Sequence, residues 1–160
     1  MSDRLQFRVK GCWTAARRGR VEAESVEHPV DFSAPPEFRG EAGFWTPEHF
    51  LIAAVASCFI TTFRAIAEVS RFDPVSLDIS VEGVVGRSEG GYEFTYVVLK
   101  PHLTIRDEAD RQRAARLLEK TEHSCLVSRS LKGKVTMEPQ IEIAGTQVAL
   151  LGFQLVEAQK

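Results

Sequence analysis

Two of the three cysteines in this 160-residue chain stand where sulfur can do more than fill space. Cys58 lies in the middle of the apolar run PEHFLIAAVASCFITTF, and Cys125 opens the segment CLVSRSLKG. Two thiols can run a redox cycle through a disulfide, one being oxidised and the other condensing with the oxidised product. The wide separation of Cys58 and Cys125 excludes a Cys-x-x-Cys motif and leaves their proximity to the fold. Each also has a plain packing reading, because free cysteine is often a small buried hydrophobe. Taken alone, Cys58 is read that way, and Cys12, in an expected strand, is read only that way. Cys125 differs. Ser124 is a candidate N-cap before it, and the unpaired N–H groups and dipole of a following short helix favour a thiolate.

The elements around these sulfurs follow from pattern. Leu5 to Ala16 reads as a strand, with Gly19 as turn residue and Val21 to Ser25 as the return strand of a hairpin. A short strand is expected near Val30–Ser33. The stretch APPEFRGEAGFW, with two prolines and two glycines, forces an irregular loop. Thr46 then caps a helix that has Pro47 at its first position and Glu48 in its first turn, running to about Ser70. Its apolar residues surround it, which predicts a central, buried helix. The alternation of Val75, Leu77, Ile79 and Val81 predicts a half-buried strand, and Tyr92, Phe94, Tyr96 and Val98 the return after a turn at Glu89-Gly90-Gly91. Asp107 caps an amphipathic helix with Ala114, Leu117, Leu118 and Thr121 on its buried stripe. A short helix ending at Gly133 and a final strand from Val135 to Ile143 follow. The tail from Ala144 is apolar enough to pack. Strands and helices in separate blocks predict an α+β domain over 1–160 with antiparallel pairing rather than a parallel βαβ sheet.

At this point a resemblance becomes specific. FWTPEHFLIAAVASCF, followed by HSCLVSRSLKGKV, resembles the OsmC/Ohr family of thiol-dependent hydroperoxide reductases. The shared pattern is Pro-Glu, a small-residue helix reaching a cysteine ten residues after the glutamate, and later Cys-x-x-Ser before Leu-Lys. It spans roughly Leu5 to Ile143, and the loop PPEF…WTPEH resembles a less characterised branch. The resemblance implies an OsmC-like fold, with antiparallel sheets around a long central helix in an intertwined homodimer. It implies a peroxidase acting on organic hydroperoxides, with Cys58 as the thiolate that becomes a sulfenic acid. Cys125 would condense with it to a disulfide, reopened by an external dithiol such as a lipoyl group. Glu48 would help hold the activating arginine. No metal, flavin or haem is implied.

Cys58 would need that help. It lies about three turns into its helix, beyond the reach of the N-terminal dipole, and burial raises a thiol above its ordinary ~8.5. An arginine suits the task because it keeps its charge when desolvated. Arg39, in the loop before the helix, resembles the OsmC-type placement. Arg17, in AARRGRV, resembles the Ohr-type turn, with Arg18 as its neighbour. Ten helical residues separate Glu48 from Cys58 by ~15 Å, so Glu48 most simply serves the Cys58 of a second copy across a twofold.

Other classes are weaker. A net charge of −2 argues against a general nucleic-acid or anionic-membrane surface. No signal peptide opens the sequence, and the apolar run Phe50 to Phe59 reads as too short and polar to span a bilayer, so a cytoplasmic protein is expected. His123 beside Cys125 fits neither a metal site nor a Cys-His hydrolase by spacing. His49 is read as structural or interfacial. The competing reading is a non-catalytic small-molecule-binding protein of the same fold, with PPEF…FW lining a pocket.

Overall fold

A computed structural model of the protein describes residues 4–145, in two units divided in sequence between Leu51 and Ile52. The expectation for the tail therefore falls almost wholly outside the described residues.

In the first unit, β1 (Val9–Ala15) and β2 (Arg18–Ala23) pair antiparallel, and β3 (Val30–Ser33) adds to β2 in the same sense. The turn comes earlier than expected, at Ala16, whose φ of 46° lies in the left-handed region. Gly19 is instead inside β2, where a Cβ would meet the Phe32 ring at 2.5 Å. The loop after β3 is tied down at both ends. Ser33 donates its N–H to the Trp45 carbonyl at 2.9 Å, and its hydroxyl accepts the Glu41 N–H at 2.8 Å. A single 3-10 turn, Pro36–Phe38, leads to Gly40, where a Cβ would stand 1.5 Å from the Ala34 carbonyl oxygen. Only glycine permits that approach.

The long helix α1 (Pro47–Val69) begins in the first unit and runs through the second. Thr46 caps it as expected, its hydroxyl accepting the His49 N–H at 3.2 Å. Burial is narrower than the sequence predicts. Within one chain only Val55, Phe59, Phe63 and Ala67 are fully buried, a stripe at every fourth residue. Isotropic apolar composition thus marks more surface than this chain covers: Ile60 and Val69 stay exposed. The 23-residue helix is also long and apolar enough, by length and composition alone, to cross a bilayer, which corrects the shorter span read from sequence. Its packed stripe and the polar flank of Ser57, Thr61, Arg64 and Glu68 are those of a core helix.

The second unit is built on the hairpin β4 (Ser76–Ser88) and β5 (Gly91–Ile105). Gly83 lets α1 approach it: a Cβ there would lie 2.5 Å from Ile52 Cδ1 and 2.7 Å from the Phe94 ring. Asp107 caps the 3-10 turn Glu108–Asp110 by accepting the Ala109 N–H, and α2 (Arg111–Ser124) follows directly. Ala114, Leu117, Leu118 and Thr121 form its buried stripe, as predicted. After α3 (Leu126–Arg129), the strands β6 (Lys134–Met137) and β7 (Gln140–Ile143) both pair with β5 in parallel.

The α+β class holds, but this second sheet is mixed rather than wholly antiparallel. The crossover through α2 and α3 is long enough to return the chain in the same direction. The expected single last strand is also broken in two. Pro139 has no N–H to donate, and Pro101 of β5 faces the same edge, two residues beyond Leu99, whose carbonyl accepts the Glu138 N–H at 2.8 Å. One apolar cluster joins the α1 stripe to Val97, Leu99, Leu103 and Ile105 of β5 and to the buried face of α2. Burying each such side chain contributes roughly 1.5–3 kcal/mol, so α1, β5 and α2 are held rigidly against one another. Cys58 and Cys125 are carried on that frame.

Candidate active site

Cys58 sits beside Phe59 of the buried stripe, on the helix flank, and is only half-buried. Four residues on, the Thr62 hydroxyl lies 3.9 Å from its sulfur. Cys125 is fully buried and links α2 to α3. Its extended backbone (φ −65°, ψ 111°) turns the chain between the two helices, and its carbonyl accepts the Arg129 N–H at 3.1 Å. The fold thus delivers what spacing could not. The two thiols, both free, lie close enough for each to influence the other's ionisation.

Their ionisation is pulled in opposite directions. Burial opposes a Cys58 thiolate, but the Val127 backbone N–H, the Cys125 thiol, the Thr62 hydroxyl and the Leu126 N–H outweigh it, and the Cys58 pKa falls below that of an ordinary thiol. For Cys125, burial wins. The Ser128 hydroxyl, 3.1 Å away, and the Ser128 N–H favour its anion, but the neighbouring Cys58 charge and the proton shared with it add to burial, and the thiol is raised. Of the two sulfurs, Cys58 therefore gives up its proton more readily than Cys125.

This reverses part of the sequence reading. The Leu126 and Val127 N–H groups that open α3 favour the Cys58 anion, and the Ser128 N–H alone favours that of Cys125. Ser124 is the last residue of α2 rather than a cap, and the Cys125 N–H bonds the Glu122 carbonyl. Cys12 is exposed on β1, not packed as expected, because every residue from Val9 to Thr14 faces open surface. His123 is turned away, its Nδ1 2.8 Å from the Glu119 carbonyl oxygen and 3.1 Å from Glu122, with its ring largely exposed.

The remaining predicted residues belong to the first unit. Arg17 and Arg39 are both exposed and make no ion pair among the described residues, whereas Arg18 pairs with Glu41 at 3.4 Å and stands over the Phe44 ring. The segments bearing Arg17 and Arg39 are linked, since the Arg17 carbonyl accepts the Ala34 N–H at 3.0 Å at the start of the loop. Arg39 holds a left-handed φ of 62°, with its N–H on the Pro36 carbonyl. Glu48 is partly buried, and its Oε2, wholly buried, has no hydrogen-bond partner among the described residues. A desolvated carboxylate oxygen in that state calls for a donor. His49 is locally engaged, its Nδ1 accepting the Thr46 N–H at 3.2 Å and its ring edge-on to Trp45. Thr62 and Ser128 were not singled out from the sequence. Ser128 stands in the Cys-x-x-Ser pattern, the one signal that pointed to it.

Comparison with known proteins identifies the family and the fold. The family described as OsmC-like protein matches residues 40–140. An uncharacterised protein, YmaD, of Bacillus subtilis is 26% identical over 86% of this chain and 93% of its own. Peroxiredoxin OsmC of Escherichia coli is 27% identical over 78% of this chain and 87% of its own. An organic hydroperoxide resistance protein of Xanthomonas axonopodis is 29% identical over 83% and 92%. Among solved structures, an OsmC-like protein of unknown function from Vibrio cholerae superposes with a TM-score of 0.75 at 19% identity, covering 85% of this chain and 99% of that one. Its fold is shared.

Proposed function

The chain belongs to the OsmC-like protein family, and on that premise we propose that it is a thiol-dependent peroxidase that reduces organic hydroperoxides. The observation that carries this reading is the closeness of Cys58, whose surroundings lower its pKa, to a second, buried thiol, Cys125. The Cys58 thiolate attacks the peroxide oxygen. An S–O bond forms, the O–O bond breaks, and the alkoxide leaves as alcohol after taking a proton. Cys125 then attacks the Cys58 sulfenic acid, forming the disulfide and releasing water. An external dithiol, of which a lipoyl group is one example, returns two electrons and two protons. No metal, flavin or haem enters the cycle.

Glu48 and one of the two arginines complete the site. The unpartnered Oε2 of Glu48 supports a role in holding a guanidinium. Because Glu48 and Cys58 lie ~15 Å apart along one helix, that role is served across a homodimer with active sites at the interface. Two exposed apolar surfaces support such a dimer. One is the alternating row Leu5, Phe7 and Val9, and the other is the uncovered flank of α1 at Ile60 and Val69. The dimer is read as cytoplasmic, where thiols stay reduced.

The aromatic cluster in the first unit favours a second reading, a non-catalytic small-molecule-binding protein. Trp45 stacks on Phe50 at 5.9 Å and lines a surface cleft with Gly43, Phe44 and His49. Consumption of cumene hydroperoxide in the presence of a dithiol separates the two. The enzyme consumes it, Cys58→Ser abolishes consumption, and Cys125→Ser stops at a trappable sulfenic acid. Full activity in Cys58→Ser would sink the peroxidase.

A further inference from the structure

One buried polar side chain of the second unit touches a reacting sulfur and is left unused by the peroxidase cycle. Ser128 is 5% exposed, and its hydroxyl donates to the Cys125 sulfur at 3.1 Å. The Cys125 thiol in turn is one of the neighbours that favour the Cys58 anion. The three groups are linked in the order Ser128 hydroxyl, Cys125 thiol, Cys58 sulfur. We propose that Ser128 is a positioning residue for the resolving half of the reaction, aiming Cys125 and favouring its thiolate only after Cys58 has been oxidised. This inference rests on the peroxidase reading above.

The order follows from charge. While Cys58 is an anion, it holds the Cys125 proton in the shared hydrogen bond and repels a second negative charge on Cys125. Cys125 therefore stays protonated and donates, which itself favours the Cys58 anion. When Cys58 attacks the hydroperoxide and becomes a sulfenic acid, its negative charge is gone. The two influences on Cys125 that depended on it vanish together. The donors from Ser128 remain, and they now act only against burial. The Cys125 thiolate attacks the Cys58 sulfur, an S–S bond forms, and the S–O bond breaks. The departing hydroxide combines with the proton that Cys125 has lost, giving water. Because Ser128 touches Cys125 alone among the two sulfurs, its influence falls on the second step and not on the first.

The test is a single-turnover experiment on the full chain with cumene hydroperoxide, following sulfenic acid by dimedone trapping and the disulfide by quenched mass spectrometry. In Ser128→Ala, Cys58 sulfenic acid forms within about twofold of the wild-type rate. Disulfide formation slows about tenfold near neutral pH, and its pH profile moves up by about one unit, the effect of losing one donor to a charged sulfur. Ser128→Thr, which keeps the hydroxyl, restores most of both. A disulfide rate and profile unchanged in Ser128→Ala would overturn the proposal, as would equal slowing of both steps that Ser128→Thr does not repair. A second measurement does not depend on Ser128 variants folding. In Cys58→Ser, alkylation of Cys125 shifts to lower pH, and an unshifted profile would also overturn the ordering. Wild-type protein that forms no sulfenic acid at all would overturn the peroxidase reading, and this inference with it.

Discussion

Replacing Cys125 by alanine tests how much of the Cys58 thiolate depends on its partner. The Cys58 sulfur receives the Val127 and Leu126 N–H groups, the Cys125 thiol and the Thr62 hydroxyl. Cys125→Ala deletes one of these and leaves the backbone donors in place. A hydrogen bond to a charged group contributes ~1.5–3 kcal/mol, and S–H is a weak donor, so the lower end applies. That is about one pKa unit. The Cys58 pKa in Cys125→Ala therefore rises by about one unit, and its reaction with hydroperoxide at a pH below that value slows by about tenfold. Cys125→Ser keeps a donor at the same place and shifts the pKa less, which separates the lost hydrogen bond from the lost resolving thiol. The assay is the pH dependence of Cys58 alkylation, read by mass spectrometry beside the ultraviolet absorbance of the thiolate. A folded Cys125→Ala with an unchanged or lower Cys58 pKa would refute the argument, because the backbone donors would then suffice alone.

Three further outcomes are expected. Of Arg39→Ala and Arg17→Ala, the one that removes the activating guanidinium raises the Cys58 pKa and cuts hydroperoxide consumption, and two unchanged variants would contradict an arginine at the site. Phe59→Ala empties the fully buried position next to Cys58 and should cost ~3–5 kcal/mol in denaturant unfolding; a loss under ~1 kcal/mol would contradict the core described. Gly40→Ala drives a methyl into the Ala34 carbonyl and should cost on the order of 2–3 kcal/mol while displacing the loop that bears Arg39. Wild-type stability there would show that the loop does not close as described.

How far the sequence could be read depended on whether the signal was local. Thr46, Pro47 and Asp107 announce helix starts through their own backbone chemistry, and α1 and the α2 stripe came out as expected. The parallel return of β6 and β7 was not legible, because strand direction is set by a crossover that no short pattern encodes. The early turn at Ala16 was missed for a related reason. A glycine looks like a turn, yet Gly19 is needed to admit the Phe32 ring. At the site, the two cysteines were visible as residue types, but which N–H groups face which sulfur depends on how α3 meets α1. That is why the local pattern favours a thiolate at Cys125, whereas the structure lowers the pKa of Cys58, the thiol to which the family resemblance assigns the attack. The same limit explains the over-prediction of burial on α1. Apolar residues mark a face that can be buried, not how much of it one chain buries.

The most direct measurement is a count of free thiols in the reduced protein before and after one equivalent of cumene hydroperoxide, with peptide mapping of the product. The expected result is the loss of two thiols per chain and a disulfide joining Cys58 to Cys125, with Cys12 still free. Unchanged thiols, or oxidation confined to Cys12, would contradict it.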